Sequence, residues 1–153
     1  MRRYLAILVA LVLAVAGVVV LAAVPVLAGV EFRHALDDSA LDLKPIKGEE
    51  FTGAVKSFRE TGTNSYNGNA EAIAKGKELY DENCQACHHP DATGGMGPSL
   101  VDDVYTNKRA NTDVGKFEII HSGASGAMRS FSERGVTQDQ ILHIIAYVNS
   151  LKK

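Results

Sequence analysis

The chain has 153 residues, 46% of them hydrophobic, with 16 Lys and Arg against 18 Asp and Glu for a formal charge of −2. That length allows one domain plus an appendage. The near-neutral balance and the lack of a basic run exclude a nucleic-acid-binding surface, and two cysteines exclude a disulfide-rich scaffold.

The appendage comes first. Arg2 and Arg3 precede an uncharged, mostly aliphatic run from Tyr4 to Val30. A positive start followed by such a run is an export signal or a membrane anchor. It exceeds the usual signal core and is long enough for a bilayer, which takes about 20 residues. Pro25 near its end, and Val26-Leu27-Ala28 before Gly29, favour cleavage after Ala28. Residues 1–28 are therefore expected to be a signal peptide, with an uncleaved anchor as the alternative. Either way the two arginines stay inside and the rest crosses, so the folded part is expected in the periplasm. Loss of Arg2 and Arg3 leaves a formal charge of −4.

Residues 29–68 are read as an N-terminal extension and loop, with a short helical pattern from Phe51 to Phe58 and a Gly/Asn/Ser/Thr-rich stretch at 61–69. Residues 69–153 are read as the domain proper. A helix is expected from Asn69, which can cap it, with Ala72, Gly76, Leu79, Tyr80 and Asn83 at helical spacing. A shorter helix is expected from Asp113 to His121, carrying Val114, Phe117 and Ile120. The clearest helix is the last. Thr137 and Gln140 form a capping-box signature, and Ile141, Ile144, Ile145, Val148 and Leu151 recur at helical intervals. Nothing alternates with period two, so the domain is expected to be all-α with long loops. Residues 88–112 hold little regular pattern, more than so small a domain tolerates without something filling its centre.

The candidate filler is signalled by Cys84-Gln85-Ala86-Cys87-His88. A dithiol redox motif would sit beside a strand, and none is evident. A zinc site needs four ligands, and His34, His121 and His143 show no paired spacing to complete one. A simple disulfide is the bland alternative. The remaining reading is covalent attachment of one haem c, for which Cys-x-x-Cys-His is the signature. Two thioether bonds from Cys84 and Cys87 would fix the porphyrin at a helix end, and His88 would ligate the iron. Gly97-Pro98 would form the loop whose carbonyl, on Pro98, accepts the His88 Nδ1–H and orients the ring. Met128, Met96 and His121 are the candidates for the second axial position. Met128, in the small-residue stretch SGASGAMRSF, is the favoured one. A His/Met pair saturates the iron and raises its potential, which suits electron transfer rather than oxygen or peroxide chemistry.

With these residues in place the chain resembles the class I c-type cytochromes, and within them cytochrome cL and c-550-type proteins. LDL (41–43), AVKSFRETGTNSY (54–66), GPSLVDD (97–103), NTDVGKFEIIHSGASGAM (111–128) and TQDQILHIIAYVNSL (137–151) all look like that group. His89 stands where the family usually has a small residue, and Tyr105 where it has tryptophan. The resemblance implies a class I cytochrome c fold, helices and long loops wrapped around one haem, in which Gly76 and Tyr80 meet Ile144 and Tyr147. It implies an electron carrier, not an enzyme. Its donor would be a PQQ-dependent methanol or alcohol dehydrogenase, and its acceptor another c-type cytochrome or a terminal oxidase. Some relatives are associated with calcium near the haem; here Asp102 and Asp103 are the residues that could contribute, with plain surface solvation as the alternative. The alternatives are a generic respiratory carrier, anchored to the inner membrane if residues 1–28 are retained, and a haem sensor or enzyme with an open iron site.

Overall fold

The computed structural model describes residues 29–152, so the signal or anchor segment lies outside the described residues. Its helices are α1 (Gly53–Thr61), α2 (Ala70–Asn83), α3 (Gln85–His88), α4 (Asp113–Ser122) and α5 (Gln138–Leu151), with a 3₁₀ turn at Lys108–Asn111. Among the described residues there is no strand, only one antiparallel bridge between Arg33 and Ala40. None of these helices is long and apolar enough to cross a membrane.

The helix starts follow from side-chain chemistry. Thr52, Asn69, Thr112 and Thr137 each accept a hydrogen bond from a backbone N–H in the first turn of α1, α2, α4 and α5. These satisfy donors that have no partner inside a helix. At α5 the capping box is complete: Gln140 N–H donates to Thr137 Oγ1 at 3.2 Å, and Thr137 N–H to Gln140 Oε1 at 2.9 Å.

Helix α5 is the centre of the domain. Every residue from Ile141 to Val148 is buried, not only the predicted stripe. A helix covered all round needs neighbours on several sides, and α1, α2 and α4 supply them. The tightest approach is to α2. A Cβ on Gly76 would lie 2.0 Å from the carbonyl oxygen of His143 and 3.0 Å from Tyr147 Cβ. Beside it Tyr80 and Tyr147 pack with ring centroids 5.2 Å apart. The expected crossing is thus present, with His143 rather than Ile144 opposite the glycine.

The segment before Asn69 is part of the same core. Phe32, Phe58 and Phe117 form a triangle of rings with centroids 5.1–5.7 Å apart, joining the N-terminal segment, α1 and α4. Such rings contribute packing beyond the area they bury. Beneath them the wholly buried Glu118 accepts from the Arg109 Nε–H and the Arg33 backbone N–H, both at 2.7 Å. A buried carboxylate is tolerated when its charge is paired and its lone pairs are used. Arg109 also reaches Asp38 at 3.2 Å, tying the N-terminal segment to α4.

Candidate functional site

Cys84 ends α2, where its N–H donates to the Tyr80 carbonyl at 2.8 Å, and α3 begins directly after it. The turn of α3 then carries Cys87 and His88, whose N–H groups both return to the Cys84 carbonyl, at 3.1 and 3.0 Å. Both cysteines are half-buried, with their thiols free. Burial pushes the Cys84 thiol up to about 12, opposed by the positive charge of Arg134.

His88 is buried and held on two sides. Its Nδ1 lies 2.8 Å from the Pro98 carbonyl oxygen. A carbonyl only accepts, so Nδ1 carries the proton and Nε2 keeps its lone pair for a metal. Gly97 forms the second wall. A Cβ there would come within 2.6 Å of Cε1 and 2.9 Å of Nδ1 of the imidazole. The Gly97 N–H in turn donates to the Cys87 carbonyl at 2.9 Å. The loop after the motif thus folds back on α3 and leaves a slot shaped to one flat ring. Two free thiols, an imidazole in a fixed tautomer and a glycine cradle fit a covalently held haem.

The candidates for the opposite axial position separate. Met96 projects into solvent, 85% exposed. His121 is buried, but it lines a polar cleft of about 190 Å³ with His34, Leu41, Asp42, Ser122, Ser130, Ser132 and Glu133, and none of the motif residues. Met128 is half-buried and packs against the hydrophobic core. The calcium expectation gains no support. Asp102 and Asp103 are exposed, Lys152 Nζ lies 3.3 Å from Asp103, and no three His, Cys, Asp or Glu side chains gather into a metal site among the described residues.

Two features were missed in the sequence. His89 has φ +69° and ψ 153°, a backbone region that side chains avoid. The family's small residue at that place was the available signal. The other is the pair Ser130 and Ser132, whose hydroxyls both donate to the His121 carbonyl, at 2.7 and 3.0 Å. No local pattern marks them.

Residues 71–148 match a family model described as cytochrome C oxidase, cbb3-type, subunit III. The chain is 39% identical over 124 residues to cytochrome c-L of Methylorubrum extorquens, a match covering 80% of this chain and 62% of that protein. Among solved structures it is similar to cytochrome cL of Methylophaga aminisulfidivorans, at 41% identity and a TM-score of 0.77, covering 80% of this chain and 81% of that one. Cytochrome cL of Hyphomicrobium denitrificans gives 35% identity and the same TM-score, covering 82% and 76%. A shorter match, 36% over 92 residues, is to the cbb3-type cytochrome c oxidase subunit CcoP of Azospirillum sp. B510 and covers 52% of this chain and 31% of that subunit.

Proposed function

The chain belongs to the class I c-type cytochromes, as a relative of cytochrome cL, and from that premise we propose its donor, its acceptor and its compartment. It is an electron-transfer protein with covalently bound haem c, not an enzyme. The proposal is a periplasmic carrier that accepts single electrons from a PQQ-dependent methanol or alcohol dehydrogenase. It passes them to another c-type cytochrome or a terminal oxidase.

Cys84 and Cys87 would hold the haem through thioether bonds, and His88 Nε2 and the Met128 sulfur would ligate its iron. When bound, the haem supplies a one-electron iron couple. The Pro98 carbonyl fixes the His88 proton on Nδ1, and the Gly97 backbone fixes the ring plane. Met128 and His88 together would close the iron to small ligands, which disfavours the sensor and enzyme alternatives. Residues 1–28 would direct export, as a cleaved signal or a retained anchor. Residues 29–68 would form the extension to the haem-carrying 69–153.

One observation carries the choice of donor. The alignment with cytochrome c-L runs over 124 residues, more than residues 71–148 can contain. The likeness therefore includes the N-terminal segment, which supplies Phe32 and Phe58 to the core here. A generic haem domain does not require that segment. The match to CcoP favours a second reading, a carrier in the chain to an oxidase, and it covers 52% of this chain. Stopped-flow mixing separates them. Reduction of the oxidised protein by a quinoprotein alcohol dehydrogenase, fast enough to support that enzyme's turnover, is expected. Inertness toward every such dehydrogenase, with rapid reduction by a quinol-oxidising complex, leaves only the second reading.

A further inference from the structure

The loop that carries Met128 leaves α4 at Gly123 and returns to the same helix end. Helix α4 stops at Ser122, so its last carbonyls lack partners inside the helix. The returning loop supplies them. Phe131 N–H donates to the Ile120 carbonyl at 3.1 Å. The Ser130 and Ser132 hydroxyls donate to the His121 carbonyl at 2.7 and 3.0 Å and lie 3.0 Å from each other. The Ser132 N–H adds a longer contact to the same oxygen, 3.4 Å. Inside the neck Ala124 N–H donates to the Met128 carbonyl at 2.8 Å. Gly123 is packed so closely that a Cβ there would lie 2.8 Å from that same carbonyl oxygen. Between these ties Ser125, Gly126 and Ala127 are exposed, and the Arg129 N–H to Ala127 carbonyl bond of 2.9 Å stays inside the loop. The loop is held at its neck, not along its length.

We propose that Ser130 and Ser132 are positioning residues for Met128, clasping its loop to the His121 carbonyl so that the thioether stays on the iron. This rests on Met128 being the second axial ligand. Opening of the clasp is the event that frees the sixth position. Any added ligand that needs the open state binds with an apparent affinity reduced by the fraction of molecules that are open.

The test uses the haem-loaded, oxidised protein and imidazole as the competing ligand. Loss of the weak methionine-to-iron charge-transfer band of the oxidised protein follows displacement. In the Ser130→Ala/Ser132→Ala double variant the apparent imidazole dissociation constant is expected to fall by roughly tenfold, since two hydrogen bonds to one carbonyl are lost. Ser130→Ala alone gives part of that fall. Ser130→Thr, which keeps the hydroxyl, is expected to retain the parent value. Thr137→Ala serves as control, because it removes the α5 cap and lowers the melting temperature without touching the loop. Unchanged imidazole affinity in the double variant, or an equal change in Thr137→Ala, overturns the clasp. Persistence of the band in Met128→Ala instead overturns the ligand assignment, and the clasp with it.

Discussion

The Nδ1 of His88 sits 2.8 Å from the Pro98 carbonyl, and the residue between the two loop ends, Gly97, lies flat against the same imidazole. One dipeptide therefore sets both the tautomer and the tilt of the ring. Gly97→Ala would place a methyl 2.6 Å from Cε1, so the ring or the loop must move. Overpacking of this kind costs about 1–3 kcal/mol. Haem attachment should survive, since both thiols are untouched. The Nδ1–H bond to Pro98 should lengthen, the imidazole should donate less strongly to iron, and the reduction potential should rise by roughly tens of millivolts. Potentiometry and thermal melts of the holoprotein check both parts. A variant with parent potential and parent melting temperature contradicts the cradle.

His89 follows His88 with φ +69° and ψ 153°. That conformation costs a side-chain-bearing residue about 1–3 kcal/mol. His89→Gly removes the strain but gives the unfolded chain more freedom, worth about 0.4–1 kcal/mol in the other direction. It also removes an exposed contact between His89 Nδ1 and Asp91, 2.9 Å long, which contributes little at the surface. The net expectation is stabilisation of about 1 kcal/mol, read as a higher denaturation midpoint. The hydrogen bond from the Tyr80 hydroxyl to the His89 carbonyl, 2.8 Å, uses only backbone and should persist.

What the sequence disclosed was local. The capping residues act within one helix turn, Cys87 and His88 share the short α3 that follows Cys84, and the Pro98 carbonyl reaches back ten positions to His88. What it concealed was long-range. Phe32 meets Phe58 and Phe117 from a segment with no regular periodicity, so nothing near it announces a core residue. Glu118 lies beside Phe117 on α4, and a charge there reads as solvent-facing. It is buried because Arg109 and the Arg33 amide converge on it from two other parts of the chain. Val114 and Ile120, read as apolar-face residues of α4, are only half-buried, while Gly115, Glu118 and His121 are buried.

Gly76 and the His143 carbonyl set the distance between the two central helices. In an isolated helix Gly76→Ala would be favourable by about 1 kcal/mol. Here the new methyl meets a backbone oxygen at 2.0 Å, which no rotamer change can relieve. The helices must separate, loosening the contact between Tyr80 and Tyr147. A net loss of about 2 kcal/mol is expected, taking the upper part of the overpacking range against the helix gain. Chemical denaturation of the holoprotein measures it, and a variant at or above parent stability contradicts the close crossing.

Stability should also depend on pH through His121. Burial holds its pKa below the ordinary 6.5, with Glu49 opposing and the charges of His34 and Arg59 adding to the depression. Among the described residues its Nδ1 has no hydrogen-bond partner, so no hydrogen bond at that atom favours the charged ring. The unfolded chain therefore binds this proton more readily than the folded one. The contribution is fully present above pH 6.5 and is lost as the pH falls from there through the folded pKa, with a limiting slope of about 1.4 kcal/mol per pH unit for one proton. His121→Phe keeps an aromatic ring beside Phe117, which the imidazole stacks on at a 5.5 Å centroid distance. The difference in unfolding free energy between the variant and the parent should grow in the variant's favour as the pH drops from 7 toward 5. A difference that stays constant across that range would mean that His121 titrates alike in both states.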